Sequence, residues 1–143
     1  MNVKIINKSN NPLPSYKTNM SAGMDLHAFI QDPVIIKPFQ RLLISTGLSL
    51  ELPPGTEAQI RPRSGFALKQ GVTVLNTPGT IDADYRGEVG VVLINLSSEN
   101  VTITSRDRIA QMVFAKYEQA SLELAHELSD SERGIGGFGS TGK

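Results

Sequence analysis

The run Arg61-Pro62-Arg63-Ser64-Gly65 joins two guanidinium groups, a hydroxyl and a glycine just ahead of the segment GFALKQ. Guanidinium forks match phosphate and carboxylate oxygens, and a helix start adds unpaired N–H groups, so this run has the chemistry of an anion site. Pairing of Arg61 and Arg63 with surface carboxylates is the alternative for the same residues. A second stretch, NTPGTIDADYRGEVG (residues 76–90), sets Asp82 and Asp84 on either side of Ala83, with Tyr85 next. A carboxylate held beside phosphate can take a proton from water, whereas one on an exposed turn is ordinary turn chemistry; spacing alone leaves both open. In the third, RDRIAQMVF (residues 106–114), Arg106, Asp107 and Arg108 lead into an apolar run containing Gln111. If Ile109 and Val113 share its face, that amide needs a hydrogen-bonding partner, either within the core or on a ligand.

The chain closes on RGIGGFGSTGK, residues 133–143, with five glycines around an arginine, a phenylalanine and two hydroxyls. Glycine loses the most backbone freedom on ordering, so such a segment is a frayed terminus or a flexible piece held by a ligand.

Short β-type segments must position these residues. In GMDLHAFI, Met24, Leu26, Ala28 and Ile30 point one way while Asp25, His27 and Phe29 point the other, the period of a half-buried strand. TGLSLEL repeats the pattern with Leu48, Leu50 and Leu52, and VTIT does so with Val101 and Ile103. VGVVLINL is almost continuously apolar, which predicts a central strand covered on both faces or lying against another subunit. Residues 76–86 are read as two strands joined by a polar loop, with Asp82 and Asp84 leaving the same face. Prolines at 33, 38, 53, 54, 62 and 78 disfavour long helices. One short helix is predicted from Ser64, as its cap, to a stop at Gly71. SLELAHELSDSERG is read as a last strand, with Leu122, Leu124, His126 and Leu128 on one side, then a polar hinge. The sum is an all-β domain, a sandwich, barrel or jelly roll.

Bulk properties narrow the function. The 143 residues fit one domain, and 14 basic against 14 acidic side chains give zero net charge, so no global field draws in nucleic acid or an anionic membrane. With no cysteine and two histidines, thiolate chemistry and multi-histidine metal sites are excluded, and a reducing, cytoplasmic location is expected.

Taken in order, the stretches resemble the five motifs of the trimeric deoxyuridine triphosphatases (dUTPases). AGMDLHA (residues 22–28) is similar to the first, RPRSGFA to the second, GTIDADYRGEVGV to the third, RDRIAQMVF to the fourth and RGIGGFGSTG to the fifth. The resemblance implies a jelly-roll-like β-barrel of the dUTPase type, with one short helix and a flexible glycine-rich C-terminal tail. Residues 1–128 would form the barrel, and residues 129–143 a hinge and mobile lid of the same domain. It further implies a homotrimer with active sites shared between subunits, and hydrolysis of dUTP to dUMP and pyrophosphate, which keeps uracil out of DNA and supplies dUMP for thymidylate synthesis. Mg2+ would be the cofactor, held mainly by substrate phosphates and water, with no direct protein ligand and Asp25 as an outer neighbour.

By the same resemblance Asp82 would activate the attacking water, Asp25 would orient a metal-bound water or an arginine, and Gln111 would hold a phosphate or the nucleophile. Arg63, Ser64 and Gly65 would grip phosphate oxygens, while Asp107 and Arg108 build the interface or position the tail. Asn76, Gly79, Thr80 and Ile81 would line the uracil site, and Tyr85 would lie under the deoxyribose. Arg133 would reach phosphate, Phe138 stack on uracil, and Gly139, Ser140 and Thr141 close around the terminal phosphates. His27 is left to packing. The rival readings are a dCTP deaminase, for which Glu88 is the available carboxylate, and a catalytically silent nucleotide sensor.

Overall fold

The computed structural model describes residues 1–137. Ten strands and one helix are present: β1 Lys4–Asn7, β2 Gly23–His27, β3 Val34–Ile36, β4 Arg41–Glu51, β5 Thr56–Arg61, α1 Ser64–Gln70, β6 Val72–Val74, β7 Gly79–Ile81, β8 Glu88–Asn95, β9 Val101–Ile103 and β10 Arg108–Lys116. They form one four-stranded sheet in the order β1-β4-β8-β6, a second in the order β2-β10-β5-β7, and a two-stranded ribbon of β3 and β9, all pairs antiparallel. The all-β, jelly-roll-type fold expected from the sequence is the fold observed.

Alternation builds the core. Leu26 and Ala28 are fully buried, with Met24 and Ile30 packed against them, as their spacing requires. Leu48, Leu50 and Leu52 enter the same cluster, as do Val101 and Ile103. Strand β8 is central, between β4 and β6. It alternates: Val89, Val91 and Leu93 are buried, while Gly90, Val92 and Ile94 are half-buried on the other face. The second face is therefore only partly covered by the described residues.

Four expectations need correction. Ser64 is the first residue of α1 rather than its cap; the N-cap is Arg63, with no side-chain cap bond. Gly71 does stop the helix, in the left-handed region at φ 66°. Residues 76–86 are not a two-stranded hairpin. They hold one strand, β7, which pairs with β5 in the second sheet, while β8 beyond the Asp82–Tyr85 loop pairs with β4 and β6 in the first, so the chain crosses between sheets where a hairpin was read. Gln111 does not share a face with Ile109, because a register shift between Arg108 and Ala110 turns Ile109 into the core while Gln111 stays half-buried. Lastly, Ser121–Gly134 forms no strand. Leu122, Leu124 and Leu128 are over 90% exposed, and β10, the preceding strand, already has both edges taken by β2 and β5.

Leu93 is fully buried in the middle of β8. Leu93→Ala should lower unfolding stability by about 2–5 kcal/mol, read as a lower urea midpoint.

Candidate active site

The second sheet sets three of the expected residues side by side. On β10, Gln111 lies opposite Asp25 of β2 on one edge and opposite Arg61 of β5 on the other. Directly paired residues project to the same face, so carboxylate, amide and guanidinium form one row across the sheet. Just past β5, Arg63 Nε donates to Asp25 Oδ1 at 2.8 Å, and its Nη1 donates to the Arg108 carbonyl at 3.1 Å. Arg108 Nη1 donates to Asp25 Oδ2 at 3.3 Å. One carboxylate thus serves two guanidinium groups, which leaves the group of three a net positive charge. That arrangement receives an anion readily.

Gln111 donates from Nε2 to the Pro62 carbonyl at 2.9 Å, which ties the arginine loop to β10. Its Oε1 lies against Gly23, where any Cβ would overlap it. A glycine inside a strand signals close approach, and that signal was available in the sequence for Gly23. Arg108 was expected at an interface or the tail, and here it holds Asp25. At the start of α1, the Phe66 and Ala67 N–H groups donate to the Arg63 carbonyl. The Ser64 and Gly65 N–H groups remain at the open end of the helix. His27 is neighbour to this cluster. Burial lowers its pKa from 6.5 against the upward pull of Asp25, and Lys17, Arg108 and Arg63 add to the lowering.

Asp82 and Tyr85 lie elsewhere. β7 pairs with β5 from Ile60↔Gly79 to Ala58↔Ile81, so Asp82 leaves the ladder beyond Ala58 while Arg63 leaves it beyond Arg61. Those two β5 positions are about 10 Å apart at about 3.3 Å per residue, and the side chains of interest lie outward from each end. Within one chain the arginine cluster and Asp82 are two separate half-sites. In the second, the Tyr85 N–H donates to the Asp82 carbonyl at 3.2 Å and the Tyr85 hydroxyl to the Glu88 carbonyl at 3.1 Å. Asn76 Nδ2 stands 3.3 Å from the position a Cβ on Gly79 would take, so a side chain at Gly79 would crowd the amide. Thr80 and Ile81 continue β7, which is an edge strand with one side unpaired. A cleft of about 310 Å³ opens beside Thr80, Ile81, Asp82, Tyr85 and Glu88.

Glu88 is the residue whose importance the sequence least revealed. Its Oε1 accepts from the Thr46 N–H at 3.0 Å, the Gly47 N–H at 2.8 Å and the Ser45 hydroxyl. Arg133 makes a local turn, its Nε donating to the Gly136 carbonyl at 2.8 Å, and touches neither half-site by hydrogen bond. Phe138, Gly139, Ser140 and Thr141 lie outside the described residues.

An all-β domain of two antiparallel sheets, with an arginine–carboxylate row at one end of the second sheet and an aspartate-bearing loop at the other, is the class that fold and side chains define. The sequence model of the dUTPase family matches residues 9–142. The deoxyuridine 5'-triphosphate nucleotidohydrolase of Cytophaga hutchinsonii is 62% identical over 141 residues, 99% of this chain and 92% of that one. Its counterpart from Treponema denticola is 62% identical over 130 residues, 91% of this chain and 90% of that one. Among solved structures, a variant dUTPase of Staphylococcus bacteriophage 80alpha with dUpNHpp is similar at a TM-score of 0.88, covering 99% of both chains at 24% identity. The chain belongs to the dUTPase family.

Acid should loosen the Glu88 junction. The hydrogen bond from Ser45 is the largest cause holding the carboxyl below 4.5, with the Gly47 and Thr46 N–H groups also lowering it against partial burial. A depressed folded pKa means the contribution is complete above about pH 4.5 and fades as pH falls through the lower folded value. Urea midpoints measured from pH 6 down to pH 3 should fall less steeply for Glu88→Gln than for the unaltered chain.

Proposed function

We propose that this dUTP-hydrolysing enzyme works by attack of an Asp82-activated water on the α-phosphorus, releasing dUMP and pyrophosphate. The water oxygen bonds to phosphorus as its proton passes to Asp82, and the bond from the α-phosphorus to the bridging oxygen breaks. The observation that carries this reading is the sorting of the motif residues into two complementary half-sites, one rich in guanidinium for phosphate and one bearing the carboxylate for water. Arg63 and Gln111, fixed by Asp25 and Pro62, would meet phosphate oxygens together with the Ser64 hydroxyl and the Ser64 and Gly65 N–H groups.

The open edge of β7 supplies unpaired backbone donors and acceptors at Gly79 to Ile81, beside the Asn76 amide, and these suit the polar edge of uracil. Tyr85 would underlie the deoxyribose. Arg133 and the glycine-rich residues 134–143, with Phe138, Gly139, Ser140 and Thr141 among them, would close over base and phosphates as residues 129–143 act as the lid of a body formed by residues 1–128.

Magnesium fits this chain as a partner of the triphosphate rather than of a protein cage. Asp25 has both oxygens engaged by arginines, and no group of three potential ligand side chains occurs among the described residues. When bound, the ion would neutralise phosphate charge and hold the three groups in line for displacement. Asp25 would act here only by orienting the Arg63 and Arg108 guanidinium groups.

The separation of the half-sites along β5 supports a homotrimer in which one subunit's arginine row faces another's Asp82 loop. The partly covered face of β8, with Val92 and Ile94 half-buried, and the exposed Leu96 just after it offer apolar area for such contacts. Glu88 argues against the deaminase alternative. A carboxylate oxygen already accepting three hydrogen bonds is a poor shuttle for protons on a base. The absence of a helix long and apolar enough to cross a membrane among the described residues agrees with a cytoplasmic role for the enzyme.

With magnesium and dUTP, Asp82→Asn should lower kcat for pyrophosphate release by about 10²–10⁴-fold and leave KM little changed. Ammonia from dCTP in place of pyrophosphate from dUTP would overturn the reading. Shared sites have their own test. Arg63→Ala and Asp82→Asn chains, each nearly inactive, should regain part of the activity when unfolded and refolded together, whereas sites complete within one chain would give no recovery.

A further inference from the structure

We propose that Glu88 is a positioning residue for sugar selection, locking the Asp82–Tyr85 loop onto a bulge in the neighbouring strand β4. The inference rests on the reading of Tyr85 as the residue beneath the deoxyribose.

The bulge comes first. Between Ser45 and Ser49 the β4–β8 register shifts, and the chain passes through Gly47 at φ 71°, in the left-handed region that glycine tolerates. Gly47 is also packed: a Cβ there would stand 2.8 Å from both the Ser9 backbone nitrogen and its Cβ. Thr46 fixes the bulge from the other side, its hydroxyl donating to the Val89 carbonyl at 2.6 Å. The result is a small nest of donors, with the Ser45 hydroxyl and the Thr46 and Gly47 N–H groups converging on one point. Glu88 Oε1 occupies that point. Bonds from neutral donors to an ionised carboxylate are about twice as strong as those to a neutral acceptor.

The same residue then holds the site. Its carbonyl accepts the Tyr85 hydroxyl, and the Tyr85 N–H donates to the Asp82 carbonyl. Gly87 clears the way, since any Cβ there would overlap the tip of the Tyr85 ring. On the floor of the cleft Leu43 lies across Gly90, its Cδ1 2.7 Å from where a Cβ would be. The ring is therefore fixed at its hydroxyl by Glu88 and at its backbone by the turn. Bulge, carboxylate, carbonyl, ring and Asp82 form one connected series.

Rejection of a 2′-hydroxyl is a matter of space, and space can be denied only by a ring that does not yield. Without the carboxylate in its nest, the start of β8 is held to β4 only by the Ser49 pairing and the Thr46–Val89 bond, the Glu88 carbonyl is free to shift, and the ring loses the acceptor that holds it. Neither the bulge nor Glu88 need touch the nucleotide for this to happen.

Steady-state kinetics on dUTP and UTP test the proposal with five proteins: the unaltered chain, Glu88→Ala, Glu88→Gln, Ser45→Ala and Tyr85→Ala. Glu88→Ala should narrow the dUTP over UTP ratio of kcat/KM by about tenfold, mainly through a higher KM for dUTP and a lower one for UTP. Glu88→Gln keeps an acceptor oxygen and should recover most of the selectivity. Ser45→Ala, which removes one donor and leaves Glu88 in place, should narrow the ratio less and serves if Glu88→Ala fails to fold. An unchanged ratio in the folded Glu88→Ala and Ser45→Ala chains, alongside a relaxed one in Tyr85→Ala, would overturn the role of Glu88 alone. An unchanged ratio in Tyr85→Ala would instead overturn the Tyr85 reading, and the proposal with it.

Discussion

Everything in the second sheet hangs on β5 having both edges occupied. β10 holds one edge and thereby sets Gln111 opposite Arg61; β7 holds the other and thereby sets Gly79 opposite Ile60. A one-residue slip on either side would turn the whole row to the opposite face, because strand side chains alternate. Ala58 and Ile60 are buried, and they pin the register by hydrophobic burial rather than by anything in the site. The polar row rides on that apolar anchor. The same strand also sets the distance between the arginine row and the Asp82 loop within the chain.

Electrostatics inside the arginine row follow from sharing. Asp25 is about five-sixths buried at its side chain, and a carboxylate so placed needs partners. It has two, one of them on a loop and one on an adjacent strand, and each guanidinium is oriented by a group that costs nothing further to desolvate. A cluster with one carboxylate fewer than its arginines is held in place and still attractive to phosphate. Balanced pairs would be equally rigid and much less receptive.

Much of this was legible in the sequence, and the exceptions have physical causes. The period-two patterns around Leu26, Leu48 and Val101 gave their strands because burial on one face leaves a mark at every second position. The motif residues were readable because guanidinium, amide and carboxylate groups at fixed spacings have few other uses together. Four things were not readable. A bulge between Arg108 and Ala110 reverses which neighbour Gln111 shares a face with, and one inserted residue leaves no compositional trace. The crossing from β7 to β8 resembles a hairpin because both have turn residues between two apolar runs, and only long-range pairing tells them apart. The segment from Leu122 to Leu128 alternates as a strand should, yet alternation describes a face and says nothing of what will cover it. The structural part played by Glu88 was not visible because its partners, the Ser45 hydroxyl and the Thr46 and Gly47 N–H groups, lie 41–43 residues away, which no local pattern encodes.

The bulge at Gly47 also divides β4 into two lengths with different obligations. Residues 41–45 answer to β8, and residues 48–51 chiefly to β1. Because the extra residues of the bulge absorb the mismatch between them, the β1 side can change its side chains or lose its pairing without dragging the other half out of step. Variation at the amino-terminal edge is thus insulated from the Asp82–Tyr85 loop. The fold can revise its periphery across evolutionary time while that loop keeps its alignment.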